Sequence, residues 1–324
     1  MRSVRDGMAV ADVSTSATLS YSGCYNPLMI IDSHVHLFPP EAVAHRERFL
    51  AADRTFGALY ANPKARLATP EELVERMDAA GIDLSVAVGI GWEKAQHCAL
   101  ANDAIAEAVR HYPTRLAGFG VVNPRHAGAV AEVERIAKLG LRGVGELHPD
   151  SQGYALDDAR VMAPVMDAAR RLGLAVLVHA SEPVGHAYAG KGTVTPDVLV
   201  RFIARFPEND IVCAHWGGGL PFYALMPEVR RLLARVWFDS AATPFLYQPD
   251  VFRLATELLG AERVLFGSDY PLLGQERVLA QALEAGLPAG ARRLVLGENA
   301  RKLLGLEKQR RGMHRMHTPS EAAR

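Results

Sequence analysis

Cysteine is scarce in this chain of 324 residues, which contains only Cys24, Cys98 and Cys213. No two of them form a Cys-x-x-Cys pair, and an odd, scattered set argues against a disulfide framework. This usage is typical of a reducing compartment, so we expect a cytoplasmic protein. Long apolar runs are also missing. No stretch approaches the roughly 20 residues of a membrane span, and residues 1–27 lack the apolar core of a signal peptide.

Net charge is the third property that the sequence lacks. Lys plus Arg and Asp plus Glu both number 36, so the formal net charge at pH 7 is zero. Proteins that bind nucleic acid or anionic membranes usually carry an excess of positive charge, so we expect neither partner. The basic tail 307–324 and the polar leader 1–27 are predicted to be disordered. A small-molecule substrate is the expected partner, and a homo-oligomer stays open.

Short apolar runs alternate with longer amphipathic segments over residues 28–306. Most of the runs are continuously apolar, as in parallel strands buried on both faces. The eight predicted strands are Met29–Val35, Leu84–Ile90, Leu116–Val122, Gly143–Leu147, Leu174–Val178, Ile211–Ala214, Val236–Asp239 and Val264–Gly267. The predicted helices are Pro70–Ala80, Glu93–Tyr112, Ala127–Leu139, Asp157–Leu172, Pro196–Phe206, Pro221–Ala234, Pro249–Leu259 and Gln275–Ala285, with a last one at Glu298–Leu304.

This alternation predicts an α/β protein, a (β/α)8 TIM barrel that occupies residues 28–306 as one domain. An open doubly wound sheet is the alternative, and it is disfavoured because no Gly-x-Gly-x-x-Gly turn follows the first strand. Two connections, Pro39–Thr69 and Ser181–Thr195, are predicted to be long loops. Long loops in compact domains are often lids or binding loops.

The first predicted strand carries Asp32, His34 and His36 at alternate positions in MIIDSHVHLF. Alternate side chains of a strand share a face, so both imidazoles can reach one point in space. Imidazole is the commonest metal ligand in proteins, although a solvent-facing strand end explains this motif equally well by itself. Asp32 lies one layer deeper, and we expect it to orient the ligands rather than to bind a metal.

Polar residues also end four other predicted strands, at the barrel end where TIM-barrel active sites lie. Singly, each is more typical of a turn or a barrel rim, but together they predict a metal site. A ring of the first-strand pair, His179 and Asp269 would offer nitrogen and carboxylate ligands without thiolate. That set favours zinc, with manganese, iron or cobalt as alternatives. The metal-competent residues are His34, His36, Glu146, His179, His215 and Asp269.

The ordered motifs resemble those of the amidohydrolase superfamily, in the branch called amidohydrolase-related or amidohydrolase family two. The matching pieces are DSHVH, GVGELHP, LVHA, AHWGGG, FGSDYP and ENARKLL, which run from Asp32 to Leu304. The resemblance implies a metal-dependent (β/α)8 barrel with one or two divalent ions. It also implies that the first-strand histidines, His179 and Asp269 surround the metal.

Glu146 and His215 distinguish the subtypes that this resemblance includes. Glu146 stands where members resembling TatD-type nucleases have a glutamate that bridges two metals, and His215 corresponds to a second-metal ligand in two-metal members. In one-metal members resembling aminocarboxymuconate-semialdehyde decarboxylase, the histidine acts as an acid or base instead. Glu146 could also orient substrate or backbone without binding a metal.

The main functional hypothesis from the sequence is a metal-dependent hydrolase of an amide, ester or lactone. A bound metal lowers the pKa of its water toward about 7, Asp269 would take the proton, and His215 would help to stabilise the oxyanion. The alternative is non-oxidative decarboxylation of an aromatic or unsaturated acid, with His215 handling the proton. A cationic side chain at the mouth would favour this alternative, and Lys191 is the candidate, although a solvated loop lysine is the preferred interpretation. A non-catalytic metal-binding barrel is the third possibility.

Several residues that follow strand ends are candidates for the substrate wall, with rim packing as the competing interpretation. His148 is also close to Glu146, but a turn residue before Pro149 is the preferred interpretation. The wall candidates are Trp92, Asn123, Tyr188, Trp216 and Tyr270.

Overall fold

Eight parallel strands form a closed barrel in the part of the chain that the computed structural model describes, residues 28–306. The strands pair in chain order, and Val35 on the first strand bridges to Tyr270 beyond the last. The predicted TIM barrel is confirmed. The predictions for the leader 1–27 and the tail 307–324 fall outside the described residues. The strands are β1 (Ile31–His36), β2 (Leu84–Val88), β3 (Leu116–Gly120), β4 (Gly143–Leu147), β5 (Ala175–Val178), β6 (Ile211–Cys213), β7 (Val236–Asp239) and β8 (Val264–Leu265).

Helices cover the outside of the barrel between the strands. The helix α4 begins as its sequence predicts, because the Thr69 side chain accepts from the Glu72 backbone while the Glu72 side chain accepts from the Thr69 backbone. The helices are α1 (Pro40–Ala44), α2 (Arg46–Ala52), α3 (Arg54–Tyr60), α4 (Pro70–Ala80), α5 (Ala95–His111), α6 (Ala129–Lys138), α7 (Pro149–Gln152), α8 (Ala159–Leu172), α9 (Pro196–Arg205), α10 (Pro227–Leu232), α11 (Thr243–Leu246), α12 (Asp250–Leu259), α13 (Gln275–Glu284), α14 (Ala289–Arg293) and α15 (Asn299–Leu303).

Two connections differ from the sequence prediction. The segment 39–69 is not an irregular loop, since it contains α1, α2 and α3, which bury Phe49 and Phe56 against Trp92. The helix predicted to begin at Pro221 begins only at Pro227. The preceding residues 215–225 form tight turns, with positive φ angles from His215 to Gly219.

Two layers of apolar side chains hold the barrel together. Val86 and Val88 of β2 belong to the cluster that fills the barrel interior, whereas Ala87 between them belongs to the larger layer under the helices. This alternation follows from the pleat of the strand. The interior filling leaves the carboxyl ends of the strands to polar residues. No helix among the described residues is long and apolar enough to cross a membrane.

Candidate metal centre

Two histidines of β1 meet at the carboxyl end of the barrel. His34 and His36 are both buried, and their Nε2 atoms are 3.3 Å apart. Asp269, just beyond β8, joins them with Oδ1 3.1 Å from His36 Nε2. Its backbone N–H donates to the His34 carbonyl oxygen over 2.9 Å and its φ is +69°, a conformation that Asp tolerates better than most residues. Backbone contacts between β1 and the β8 turn therefore fix this first group of donors.

A second group of donors lies across from the first. Glu146 ends β4, and its Oε1 is 2.9 Å from His179 Nδ1 and 3.4 Å from His215 Nε2. Its other oxygen, Oε2, is 3.7 Å from the Nε2 atoms of both β1 histidines. Glu146 therefore lies between the two groups. Within each group the candidate ligand atoms lie within 4.8 Å of one another.

The outer nitrogens of His34, His179 and His215 are held by acceptors, which directs their inner nitrogens toward the centre. His34 Nδ1 is 2.9 Å from Asp239 Oδ2, and His215 Nδ1 is 3.2 Å from the Ala241 carbonyl oxygen. His179 is reversed: its Nε2 contacts the Gly190 carbonyl oxygen at 3.1 Å, which leaves Nδ1 to face Glu146. A carbonyl or carboxylate can only accept, so each outer nitrogen carries the proton and each inner nitrogen keeps a lone pair. Metal-binding histidines show this arrangement, and the residues therefore fit a metal.

The charges of the centre also fit a cation. Burial opposes ionisation of Glu146, yet its electrostatic interaction with the His179 imidazole holds the pKa of this carboxyl well below its ordinary value. Burial likewise opposes ionisation of Asp269, but the hydrogen bond with His36 lowers its pKa to about 2. Burial would lower the pKa of His215, and Glu146 raises it to about 9. Both carboxylates are thus ionised at neutral pH, and a divalent cation can replace the protons of the imidazoles.

A cavity of about 590 Å³ opens from this centre. Lys64 and Arg66 line it, and Arg66 lies over the Tyr270 ring with 5.7 Å between the guanidinium carbon and the ring centroid. Phe245 and Leu272 add apolar side chains to the lining. Such a cavity suits a small molecule with both an anionic and an apolar part.

The structure brings together all six metal-competent residues that the sequence predicts: His34, His36, Glu146, His179, His215 and Asp269. Asp32 lies beneath them and contacts backbone rather than imidazole rings. Its Oδ1 accepts from the His34 and Ser268 N–H groups, and Oδ2 accepts from the Gln275 side chain.

Other residues singled out in the sequence have different positions. Lys191 does not line the cavity, because its ammonium group donates to the Val184 and His186 carbonyl oxygens of its own loop. Of the five wall candidates, Tyr188 lines the cavity, whereas the other four are buried and do not line it. His148 precedes a short helix, as a turn residue would, and it also lines the cavity, with its ring stacked on His179 at a centroid distance of 4.2 Å.

Two contributors were missed in the sequence. Asp239 ends β7 and contacts His34. No histidine motif lies beside it in the sequence, and its position at the end of a predicted strand is the one sign that it belongs to the centre. Arg66 lies in the middle of a long connection with no motif around it, and nothing in the sequence distinguishes it from other arginines.

Comparisons with known proteins extend these observations. The family model described as amidohydrolase matches residues 31–306. A decarboxylase of Dictyostelium discoideum, named for 2-amino-3-carboxymuconate-6-semialdehyde, is 25% identical over 282 residues, which cover 74% of this chain and 77% of the relative. The solved 5-carboxyvanillate decarboxylase of Sphingomonas paucimobilis has 22% identity and a TM-score of 0.72, with 86% of this chain and 99% of the neighbour covered.

A second solved structure carries a metal. It is the 5-carboxyvanillate decarboxylase of Novosphingobium aromaticivorans with bound manganese and a hydroxylated nitrobenzoic acid. Its sequence identity is 20% and its TM-score is 0.71, and the match covers 91% of this chain and 100% of the neighbour. Together with the two groups of donors, this neighbour supports a divalent metal in our chain. Zinc in particular is not shown.

The comparisons correct the main functional hypothesis from the sequence. The curated relative and both solved neighbours described above are named as decarboxylases, not hydrolases. The hydrolase prediction is therefore wrong, and the alternative, a carboxy-lyase, is favoured. The error has a physical origin: a metal with histidine and carboxylate ligands serves either reaction, so the ligand motifs alone do not distinguish them.

Proposed function

Because this chain belongs to the amidohydrolase family, we propose that it is a metal-dependent decarboxylase that removes carbon dioxide from an aromatic or unsaturated acid without oxidation. The observation that carries the proposal is the cationic lining of the cavity. Lys64 and Arg66 line it, and neither forms an ion pair with a carboxylate of the described residues. Two unpaired cations beside a buried metal centre favour an anionic substrate.

The segment that carries these cations is held in a defined shape. The Arg46 guanidinium donates to the carbonyl oxygens of Tyr60, Asn62 and Ala65 over 2.6, 2.6 and 2.8 Å. Three charge-assisted hydrogen bonds from one side chain fold the backbone around it. The hydrogen bonds from Arg46 therefore hold residues 64–66 in a fixed turn beside the cavity, which supports a role for Lys64 and Arg66 in binding the substrate.

The donor set accepts more than one metal. Imidazole nitrogens and carboxylates without thiolate suit zinc, and they also suit manganese, as bound in the solved neighbour. We propose zinc from the donor chemistry, with manganese as the alternative. Elemental analysis of protein purified without chelator decides between the two, and the same measurement gives one or two ions per chain.

Decarboxylation breaks one carbon–carbon bond, leaves the electron pair on carbon, and replaces carbon dioxide with a proton. A bound divalent metal supplies Lewis-acid stabilisation to oxygen atoms of the acid. When it is not a metal ligand and its ring carries a proton on both nitrogens, His215 can provide the proton from Nε2, since Ala241 holds Nδ1 and the residue lines the cavity. Asp269 is the second proton carrier at the cavity, and Phe245 and Leu272 add apolar surface to its lining.

The test is release of carbon dioxide from a panel of aromatic and unsaturated acids by the metal-loaded protein. Esters and lactones serve as comparators. We expect carbon dioxide and the decarboxylated product in equal amounts, and we expect Arg66→Met to raise KM for the acid at least tenfold with a smaller change in kcat. Arg48→Met is the matched control, because Arg48 is exposed on α2 away from the cavity. Ester or lactone hydrolysis without any release of carbon dioxide would contradict the proposal.

A further inference from the structure

Asp239 contacts residues from both groups of metal donors. It is the last residue of β7 and is completely buried. Its Oδ2 lies 2.9 Å from His34 Nδ1, and its Oδ1 accepts from the backbone N–H of His215 over 3.0 Å. Oδ1 also accepts from the Ala241 N–H over 3.0 Å. Three hydrogen bonds use both oxygens of a carboxylate that has no exposure to water.

These contacts determine the state of His34. A carboxylate oxygen accepts but does not donate, so the proton of the neutral imidazole must lie on Nδ1. The lone pair then lies on Nε2, the nitrogen that faces His36 and Glu146. The bond also fixes the rotation of the ring, since the imidazole is buried and cannot use water as another partner.

The same carboxylate fixes the beginning of the turn that carries His215. The residues 215–219 have positive φ angles, and His215 itself has φ +55°, an uncommon conformation for a residue other than glycine. A backbone N–H in such a turn needs a fixed acceptor, and Asp239 Oδ1 is that acceptor.

We propose that Asp239 is the positioning residue of the metal centre, which fixes the tautomer of His34 and the turn of His215 at once. This inference rests on the metal part of the proposed function and not on the reaction. No ordinary side chain of equal size can do both tasks. An asparagine has only one acceptor oxygen, so it would lose either the hydrogen bond from the His34 imidazole or those from the two backbone N–H groups. If its amide N–H₂ faced His34, the proton would move to Nε2 and block the metal.

The chain contains a matched control for this role. Asp53 is also buried, with Oδ2 2.8 Å from His97 Nδ1, and its Oδ1 accepts from the Thr55 and Phe56 backbone N–H groups. Neither Asp53 nor His97 lines the cavity. Asp53→Asn therefore disturbs the same kind of buried pair without touching the centre.

The experiment measures binding of Mn²⁺ to chelator-treated wild type, Asp239→Asn and Asp53→Asn by calorimetry, with denaturant unfolding of each in parallel. We expect Kd for Mn²⁺ to rise about 10- to 100-fold in Asp239→Asn and to stay within about twofold in Asp53→Asn, while both variants lose stability. An unchanged Kd in folded Asp239→Asn, or an equal rise in both variants, would overturn the inference.

A measurement on the wild type covers the case in which Asp239→Asn does not fold. In the zinc-loaded protein, a nitrogen–proton correlation spectrum should show a His34 Nδ1–H that exchanges slowly with water, identified by its loss in His34→Gln. A His34 ring without a proton on Nδ1 would overturn the inference. Neither readout requires turnover, so a failure of the decarboxylase proposal leaves this test intact and is recognised separately.

Discussion

Glu146 is the residue on which the number of metal ions depends. Its two oxygens face different groups of donors, with Oε1 2.9 Å from His179 and Oε2 3.7 Å from the β1 histidines. With two ions, such a carboxylate would be shared between them. With one ion, it would act as a ligand or as the acceptor that keeps His179 in place. The ion count per chain therefore distinguishes the shared carboxylate from the other two roles.

Asp269 is the carboxylate whose loss should cost the most activity. Asp269→Asn keeps the size of the side chain but removes the negative charge and the ability to carry a proton. Groups that transfer protons contribute about 10²–10⁴-fold to rate, so we expect kcat to fall at least 100-fold while the circular dichroism spectrum is unchanged. Asp167→Asn on the exposed face of α8 is the control and should retain full kcat. Undiminished turnover by metal-loaded Asp269→Asn would disprove the assignment.

At the residue scale, the sequence predicts the metal donors better than it predicts the residues that hold those donors in position. His34, His36 and Asp269 can be recognised because ligand chemistry restricts them to a few residue types at strand ends. Asp239 supports a ligand from a strand far along the chain, and only the closed barrel reveals that β7 and β1 approach each other there. Lys191 is the candidate from the sequence for a cation at the mouth, but its side chain folds back onto the carbonyl oxygens of its own loop.

The turn after β6 is the element that most constrains the centre. Gly218 has φ +60°, and a Cβ there would lie 2.2 Å from the Ser181 carbonyl oxygen. The turn therefore packs directly against the loop that begins after β5, and only glycine permits this approach. Because His215 begins the same turn, its position depends on this contact.

Gly218→Ala tests that dependence against Gly173→Ala. Both glycines have positive φ, but a Cβ at Gly173 would have nothing within 4 Å. The left-handed conformation alone costs about 1–2 kcal/mol, so Gly173→Ala should lose roughly that much stability and keep its affinity for metal. Gly218→Ala adds a steric overlap, typically about 1–3 kcal/mol, and should also bind Mn²⁺ more weakly. Denaturant unfolding and calorimetry measure both quantities. Equal stability losses in the two variants, with unchanged affinity, would contradict this account.

At the element scale, regular helices and strands could be predicted and short or strained elements could not. The strands of the barrel could be predicted because most are continuous apolar runs that alternate with amphipathic segments. The helices α1 to α3 have five to seven residues each, which is too short for a helical repeat to be visible. The 215–225 turn was predicted to enter a helix near Pro221, because the sequence does not reveal how closely two loops approach.

The stability of the whole molecule should depend on the bound metal, because five strands supply its ligands. The six donors come from the ends of β1, β4, β5, β6 and β8, so a bound ion joins elements distant in sequence. A ligand that binds only the folded state stabilises it by about 2.7 kcal/mol at a concentration 100 times Kd. We expect the Tm to rise on addition of Mn²⁺ or Zn²⁺ and to fall with a chelator, as measured by differential scanning fluorimetry. A Tm that changes neither with the metal ion nor with the chelator would contradict a metal site at this position.

The rise in Tm on metal addition should also depend on pH. Burial lowers the pKa of His34 and of His215, but the neighbouring carboxylates raise both, that of His215 to about 9. Protons therefore compete with the metal more strongly as pH falls, and the rise in Tm on metal addition should shrink from pH 9 toward pH 6. Mg²⁺, which prefers oxygen ligands, is the control ion and should change Tm little at any pH. Location in the cytoplasm, assembly into oligomers and the substrate itself stay predictions at this scale.

The contact between Gly190 and His179 limits how this barrel can be adapted to new compounds. Two loops both line the cavity and fix a metal donor. The Gly190 carbonyl oxygen of the loop 181–195 holds the outer nitrogen of His179, and its neighbours Tyr188 and Ala189 line the cavity. The Ala241 carbonyl oxygen likewise holds the outer nitrogen of His215, and the following Ala242 and Phe245 line the cavity. A transplanted loop would have to present a backbone carbonyl at the same point. Selectivity and metal retention are therefore inherited together at these two loops, and variation there should be narrower than where the wall contacts no donor.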